Sequence, residues 1–377
     1  MNSPFQFGQI VEGEAFTDRE ESIKRLINNF NSGVNTILIS PRKWGKSSLV
    51  KKVSKILRNE SSTFKFCFLD LMKIMNEEEF YKSFAQEIIK QTLTKPEEIW
   101  QIIKTFFKRV TPKISFGSDP INDFEISFEL KNIEKEFDEI LDLPEHIAEQ
   151  KNIKIIVCID EFQDFGNFTN PALFQKRLRS VFQHHKRTSY CFCGSKKDMM
   201  INLFEKKTMP FYKFGDLFFL PKISKEELIN FIIHNFERTG KIIDYKFAQQ
   251  ITELMDCHSY YTQQLSHLIW VNTEKEVTEI IFEKSIADML NQNTYFFERE
   301  IEGLSIAQIR FLKAICAGVT EGFTRADVIK KYQLSSSANV IKVKKSLILK
   351  QIIDVEQSKI SFLDPAFQLW FKNNYLG

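Results

Sequence analysis

Lys46, Ser47, Asp160 and Glu161 have the types and spacing to handle a phosphate chain together with a divalent cation. Gly45-Lys46-Ser47 follows an apolar run at 36–39 and a turn carrying Pro41, and it opens a helix-compatible pattern from 48 to about 58. Backbone N–H groups at a helix start face an anion, and the helix dipole adds partial positive charge there. Lys46 then suits the β- and γ-phosphates, and the Ser47 hydroxyl suits Mg2+. Pro41, Arg42, Lys43, Trp44, Gly45, Lys46, Ser47 and Ser48 make up the expected cradle.

Loops of this kind follow GxxxxGK[ST], and this chain has Ser40 where the first glycine stands. Pro41 offsets the exchange, because the residue before a proline is pushed into the β or polyproline region, which any L-residue occupies. The acidic half of the chemistry lies about 115 positions beyond Lys46. There a nearly continuous apolar run at 153–159, as in a strand buried on both faces, ends in Asp160-Glu161. Asp160 is expected to hold Mg2+ through water, and Glu161 to polarise the water that attacks the γ-phosphate.

A sheet must hold these side chains. Apolar runs at 36–39, 64–71, 153–159, 189–193 and 217–220 read as its strands. Helix patterns lie between them, the first with Ile23, Leu26, Ile27 and Phe30 on one face and Thr17 or Asp18 as cap, the others at about 76–92, 96–108 and 170–184. Such βα units with right-handed crossovers give a three-layer α/β domain with a parallel sheet. Alternating runs around Gly117-Ser118-Asp119-Pro120 predict a β-hairpin inserted at about 110–130.

From Lys222 strand character gives way to helices, the first opened by the capping-box spacing Ser224-x-x-Glu227 and the others at about 245–255, 258–274 and 278–297. This is a helical lid. Three helices at 305–316, 324–332 and 338–350, followed by β-runs at 352–355 and 360–363, predict a winged helix. The expected domains are 1–221, 222–300 and 301–377.

At 377 residues the chain is long enough for two or three cores, and 43% hydrophobic with 27% charged residues excludes wholesale disorder. A net charge of +3 says little globally about partners, so any nucleic-acid argument is local. Residues 301–377 hold eleven basic and six acidic side chains, an excess of +5, with Lys342, Lys344, Lys345 and Lys350 on the third winged-helix segment. No apolar run reaches the ~18 residues of a membrane span and the N-terminus lacks a basic-then-apolar leader, so a soluble cytoplasmic protein is expected. The six cysteines are scattered, and Cys191-x-Cys193 puts two thiols on one strand face, a core arrangement rather than a zinc spacing.

With these motifs the chain resembles the archaeal-type ATPase family, a bacterial-type member of the STAND branch of AAA-like P-loop NTPases with a C-terminal winged helix. The resemblance spans nearly the whole chain. It is carried by Phe5-Gln6-Phe7-Gly8 to Phe16-Thr17-Asp18-Arg19-Glu20, Ile39-Ser40-Pro41-Arg42-Lys43-Trp44-Gly45-Lys46-Ser47-Ser48-Leu49, Ile159-Asp160-Glu161-Phe162-Gln163, Gly194-Ser195, Pro210-Phe211-Tyr212-Lys213, His258 to Leu265, and Phe362-Leu363-Asp364-Pro365-Ala366-Phe367. It implies ATP and Mg2+ as ligands, Phe16 and Arg19 beside the adenine, Ser195 as a γ-phosphate sensor, and the string at 258–264 on a lid facing the nucleotide. The family often has an arginine just after Pro-x-Tyr for a neighbouring subunit's nucleotide. Here Lys213 stands there without the guanidinium fork, leaving Lys213, Arg177 and Arg179 as alternatives.

The expected function is slow Mg-dependent ATP hydrolysis through Glu161 as a conformational switch. ATP would bind between the α/β domain and the lid, and lid rotation would reposition the winged helix. Partners are ATP and ADP, duplex DNA or a protein client through 301–377, and a second copy in a nucleotide-dependent homo-oligomer. ATP-regulated DNA binding is the alternative, since the architecture also resembles origin-binding initiators, although the third winged-helix segment has no arginine to read guanine. Intact Asp160 and Glu161 disfavour a non-hydrolysing scaffold.

Overall fold

The computed structural model describes residues 2–11, 16, 19–107, 111–117, 124–129, 133–356 and 358–376. Thr17 and Asp18, the expected caps of the first helix, lie outside these, as do 118–120 of the hairpin turn and Gln357 between the wing strands. The chain divides into two compact units, one of residues 19–42 and 46–221, the other of residues 1–18, 43–45 and 222–377.

In the first unit, α1 (Glu20–Asn31) leads into β1 (Thr36–Ile39), α2 (Lys46–Glu60) and β2 (Phe64–Asp70). Then come α3 (Glu77–Thr92), α4 (Pro96–Phe106), the hairpin β3 (Thr111–Phe116) and β4 (Phe124–Glu129), α5 (Ile133–Lys151) and β5 (Lys154–Asp160). The unit closes with α6 (Pro171–Phe182), β6 (Thr188–Gly194), α7 (Lys197–Glu205) and β7 (Asp216–Phe219). Five strands form a sheet in the order β2-β5-β6-β1-β7, with every neighbouring pair parallel. All residues of β1 and β6 and five of the seven in β5 are buried, which is why their sequences are continuous apolar runs rather than alternating ones. The antiparallel hairpin forms its own two-stranded sheet.

Register decides where the chemistry collects. Ile39 pairs with Gly194 and Ile159 with Phe192, so β1, β5 and β6 end together at one end of the sheet. Because β6 lies between β5 and β1, the turns that follow three adjacent strands emerge side by side, at the carboxyl ends where open α/β sheets take ligands.

Helix α5 answers to no expectation from the sequence. It carries Pro144 in its interior, where a proline removes one backbone donor and crowds the preceding turn. Its Glu145 carboxylate accepts the backbone N–H groups of Lys186, Arg187 and Thr188 at 2.7–3.1 Å, which fixes the start of β6. Helix α7 was likewise unforeseen. Cys191 and Cys193 sit buried with their sulfurs 3.7 Å apart, in the core role expected for them.

The second unit contains α8 (Lys225–Arg238), α9 (Tyr245–Leu254), α10 (Ser259–Asn272) and α11 (Glu279–Glu302). It continues with α12 (Ile306–Cys316), α13 (Ala326–Lys331), α14 (Ser337–Leu349), the wing β8 (Ile353–Glu356) and β9 (Lys359–Phe362), and α15 (Pro365–Tyr375). The expected capping box forms at Ser224 and Glu227. The final helix α15 adds to the three anticipated in the winged helix. A single apolar core runs from Ile229 on α8 to Phe371 on α15, so lid and winged helix share one interior. Phe5 joins that core against Phe231 and Phe236, and Phe7 meets Tyr260 and His267 edge-on, which accounts for the aromatic lead-in before α1. Among the described residues no helix is long and apolar enough to cross a membrane.

Candidate functional site

Ser40, just past β1, is buried, with its N–H on the Gly194 carbonyl at 3.2 Å, and it lies outside the left-handed region. The glycine of the usual loop is not needed at this position. Left-handed backbone falls instead at Lys43 (φ 64°) and Gly45 (φ 88°), and at the latter an L-side chain would be strained. Helix α2 begins at Lys46, two residues earlier than the pattern predicted, so Lys46 and Ser47 occupy its first turn.

The Lys46 ammonium, 7% exposed, is 2.9 Å from Asp160 Oδ1 and 3.1 Å from Glu161 Oε1. The Ser47 hydroxyl donates to Asp160 Oδ2 at 2.8 Å. Glu161 follows β5 with φ 48°, and the next side chain, Phe162, is fully buried against Phe192, Phe204 and Phe211. That turn aims the carboxylate back over the sheet edge, and the aromatic anchor holds it there. Glu161 Oε2 accepts from the Ser195 hydroxyl at 2.6 Å and from Gln163 Nε2 at 2.6 Å. Gly194 lies beneath this network, and a Cβ there would come within 2.5 Å of Met200 and Gln163, so a larger residue would displace those side chains.

The electrostatics follow. Burial alone would raise the Glu161 carboxyl, but Lys46 and the hydrogen bonds from Ser195 and Gln163 outweigh it and hold the group below its ordinary value. Burial likewise pulls Lys46 down, and Asp160 and Glu161 overcome it, keeping the ammonium charged. Glu161 is therefore an ionised carboxylate at neutral pH, in the state a general base needs.

Lys46, Ser47, Asp160, Glu161 and Ser195 thus come together as the sequence predicted. Gln163 was missed as a site residue; its only signal was its place in the Asp-Glu-Phe-Gln string. Arg19, expected beside an adenine, is buried and donates to the Pro221 carbonyl at 2.7 Å, and Phe16 is half-buried. Arg42 is exposed, while Pro41 is half-buried and Ser48 buried. The three cations considered for a neighbouring subunit are engaged within this chain. Arg177 is buried with its guanidinium 4.9 Å from the Phe137 ring, Arg179 lies 4.3 Å from Phe214, and Lys213 pairs with Glu205 at 3.1 Å.

The loop tip, residues 43–45, packs within the second unit. Lys43 lies 4.4 Å from the Tyr260 ring and 5.4 Å from Tyr261, and its carbonyl accepts from Ser259. Trp44 meets His258 edge-on. The Tyr261 hydroxyl bonds Asp364, which caps α15 through the Phe367 N–H at 2.9 Å. His258, at the start of α10, has its pKa pushed down to about 3 by burial and then by the charge of Lys43. Its folded pKa is depressed below the ordinary 6.5, so the unfolded chain binds the extra proton. The stability His258 contributes is complete above about pH 6.5 and is lost as pH falls toward 3. In urea titrations between pH 7 and 4, His258→Gln is expected to flatten the decline in unfolding free energy relative to the parent; equal slopes would contradict it.

Residues 16–265 match the family model described as an ATPase domain predominantly from Archaea, and residues 295–373 match a probable winged helix domain. A comparison with curated protein sequences gave no match. Among solved structures, the Walker-type ATPase of Pyrococcus abyssi is 17% identical with a TM-score of 0.69, covering 98% of this chain and 99% of that one. The ORC2 protein of Aeropyrum pernix, solved in ADPNP and ADP complexes, is 16% identical with a TM-score of 0.58, covering 98% of each. The ORC1 protein of the same organism, solved with DNA, is 11% identical with a TM-score of 0.50, covering 96% of this chain and 94% of that one. At these identities the likeness is one of fold. With the model covering most of its length, this chain belongs to the family of ATPase domains found predominantly in Archaea, followed by a C-terminal winged helix.

Proposed function

We propose that this chain binds ATP with Mg2+ and hydrolyses it slowly, as a STAND-type cytoplasmic switch whose state is read out by the lid and winged helix. The observation that carries the reading is the closed set Lys46, Ser47, Asp160, Glu161 and Ser195 at the ends of three adjacent strands. Ser47 and Asp160 offer hard oxygen donors within 2.8 Å of each other, which suits Mg2+, and they would hold it. Bound there, the ion would neutralise phosphate charge.

The chain's own residues do the rest. Lys46 now serves as counter-ion to two carboxylates, and it exchanges them for the β- and γ-phosphate oxygens when ATP enters. Glu161, released from Lys46 but still held by Ser195 and Gln163, accepts a proton from the attacking water. Ser195, bonded to Glu161, would register whether a γ-phosphate competes for its hydroxyl.

Readout runs through the loop tip. Lys43 rests on Tyr260 and Tyr261, and Tyr261 is tied to Asp364 at the head of α15. Because lid and winged helix share one core, they respond as a single body. Hydrogen exchange of the full chain is expected to show Mg·ATP-dependent protection of α10 and α15, with the α15 response lost in Tyr261→Phe while ATP affinity stays within about threefold. A parent protein whose winged helix ignores nucleotide would end the switch reading.

A second reading, duplex DNA on α14, draws on exposed Lys342 and Lys345, three residues apart on one helix face. Of the other two lysines, Lys344 is half-buried and the Lys350 ammonium is held, still charged, at the Gly303 carbonyl at 2.9 Å.

A further inference from the structure

A groove of about 450 Å3 lies in the winged-helix region and takes no part in the nucleotide chemistry. One wall is a single face of α12, formed by Ile306, Ile309, Arg310 and Lys313 at the i, i+3, i+4, i+7 spacing that aligns side chains on a helix. The facing wall comes from the ends of two other helices, with Lys331 closing α13 and Tyr332 following it, and Tyr375 closing α15 and Leu376 following it.

Among the described residues three cations line the groove and no carboxylate does. Among the described residues Lys313 and Lys331 have no ion-pair partner. The Arg310 guanidinium donates to the Gln333 carbonyl at 3.1 Å, which fixes it in the wall without neutralising it. Beside this charge stands open apolar surface, with Ile306 70% and Leu376 39% exposed. Positive charge and apolar surface at one place select an occupant carrying both carboxylates and apolar side chains. The volume, within the usual range of about 300–1,000 Å3 for ligand pockets, suits a short segment rather than a folded domain.

Nucleic acid fits less well. Base stacking needs open aromatic faces. Here Tyr375 stacks on Phe371 with centroids 4.7 Å apart and carries Lys313 over its ring, and Tyr332 carries Lys331. The aromatic surface is engaged within the chain, and Ile306 offers a phosphate backbone nothing.

We propose that this groove docks a short acidic, amphipathic protein segment, its carboxylates on Arg310, Lys313 and Lys331 and an apolar side chain against Ile306 and Leu376. The inference does not rest on the nucleotide reading, since none of these residues belongs to that site. It identifies the winged helix as a peptide reader on α12, away from the lysines of α14.

The test uses a phage-displayed library of random peptides, selected against the full chain and counter-selected on its Arg310→Glu/Lys313→Glu variant. The recovered pool is expected to be rich in Asp and Glu interleaved with Leu, Ile and Phe. Peptides synthesised from it should lose at least about tenfold in affinity for the double variant and for Ile306→Asp, at about 1.4 kcal/mol per tenfold. Thermal melts establish that each variant is folded, and Ile306, being exposed, supplies a variant that keeps its fold if the double one does not. An empty counter-selected pool, or a pool without acidic enrichment, overturns the proposal. So does a labelled DNA duplex whose binding depends on Arg310 and Lys313, which would assign the groove to nucleic acid.

Discussion

Lys46→Ala is expected to weaken Mg·ATP binding by at least a hundredfold, about 2.8 kcal/mol, in calorimetric titrations of the full chain. Two effects add. The ammonium that should meet the β- and γ-phosphates is gone, and Asp160 and Glu161 lose the cation that now lies within 3.1 Å of both. Adjacent carboxylates without a counter-ion repel an incoming polyanion. The ligand-free protein should suffer as well, because removing one partner of a buried pair costs about 3–5 kcal/mol. The loss should fall at or below the low end, since Asp160 is 33% exposed and Glu161 keeps Ser195 and Gln163. A folded Lys46→Ala protein that binds ATP within threefold of the parent would remove the basis of the nucleotide reading.

Glu161→Gln separates binding from turnover. The amide keeps the size of the carboxylate, and its oxygen can still accept from Ser195 and Gln163, so the local hydrogen bonding survives. It cannot take a proton from water. Phosphate release should fall by about 10²- to 10⁴-fold, the usual contribution of a positioned general base, while Mg·ATP affinity stays equal to or above that of the parent. Affinity is favoured because the substitution removes one negative charge from a site that must admit a polyanion. Undiminished phosphate release would assign the base elsewhere.

The parts of this site that the sequence showed are those whose chemistry resides in the residue type. Lys46 and Ser47 after an apolar strand and the acid pair after 153–159 announce themselves by following a buried strand, Ser195 after 189–193 was reached through the family resemblance, and parallel register brings the three strand ends together. Gln163 was silent because an amide has no function until the left-handed turn at Glu161 folds it back onto the carboxylate. Helix α5 was hidden by Pro144, which reads locally as a break but is tolerated inside a long helix packed against α3, α6 and the sheet. Helix α15 did carry a start signal, Asp364 before Pro365, yet its dense aromatic content masks the helical period. The lysines of the third winged-helix segment were legible as charge but not as geometry: Lys342 and Lys345 are exposed, Lys344 is half-buried, and the Lys350 ammonium, still charged, bonds the Gly303 carbonyl.

The bond between Tyr261 and Asp364 spans 103 residues of chain. Closing so long a loop is entropically unfavourable until other contacts have already brought the two helices together, so this tie is expected to form late in folding rather than in its nucleus. Interactions absent from the transition state set how fast a native structure comes apart, not how fast it forms. Loss of the contact that links the loop tip to the last helix is therefore expected to speed unfolding more than it slows folding.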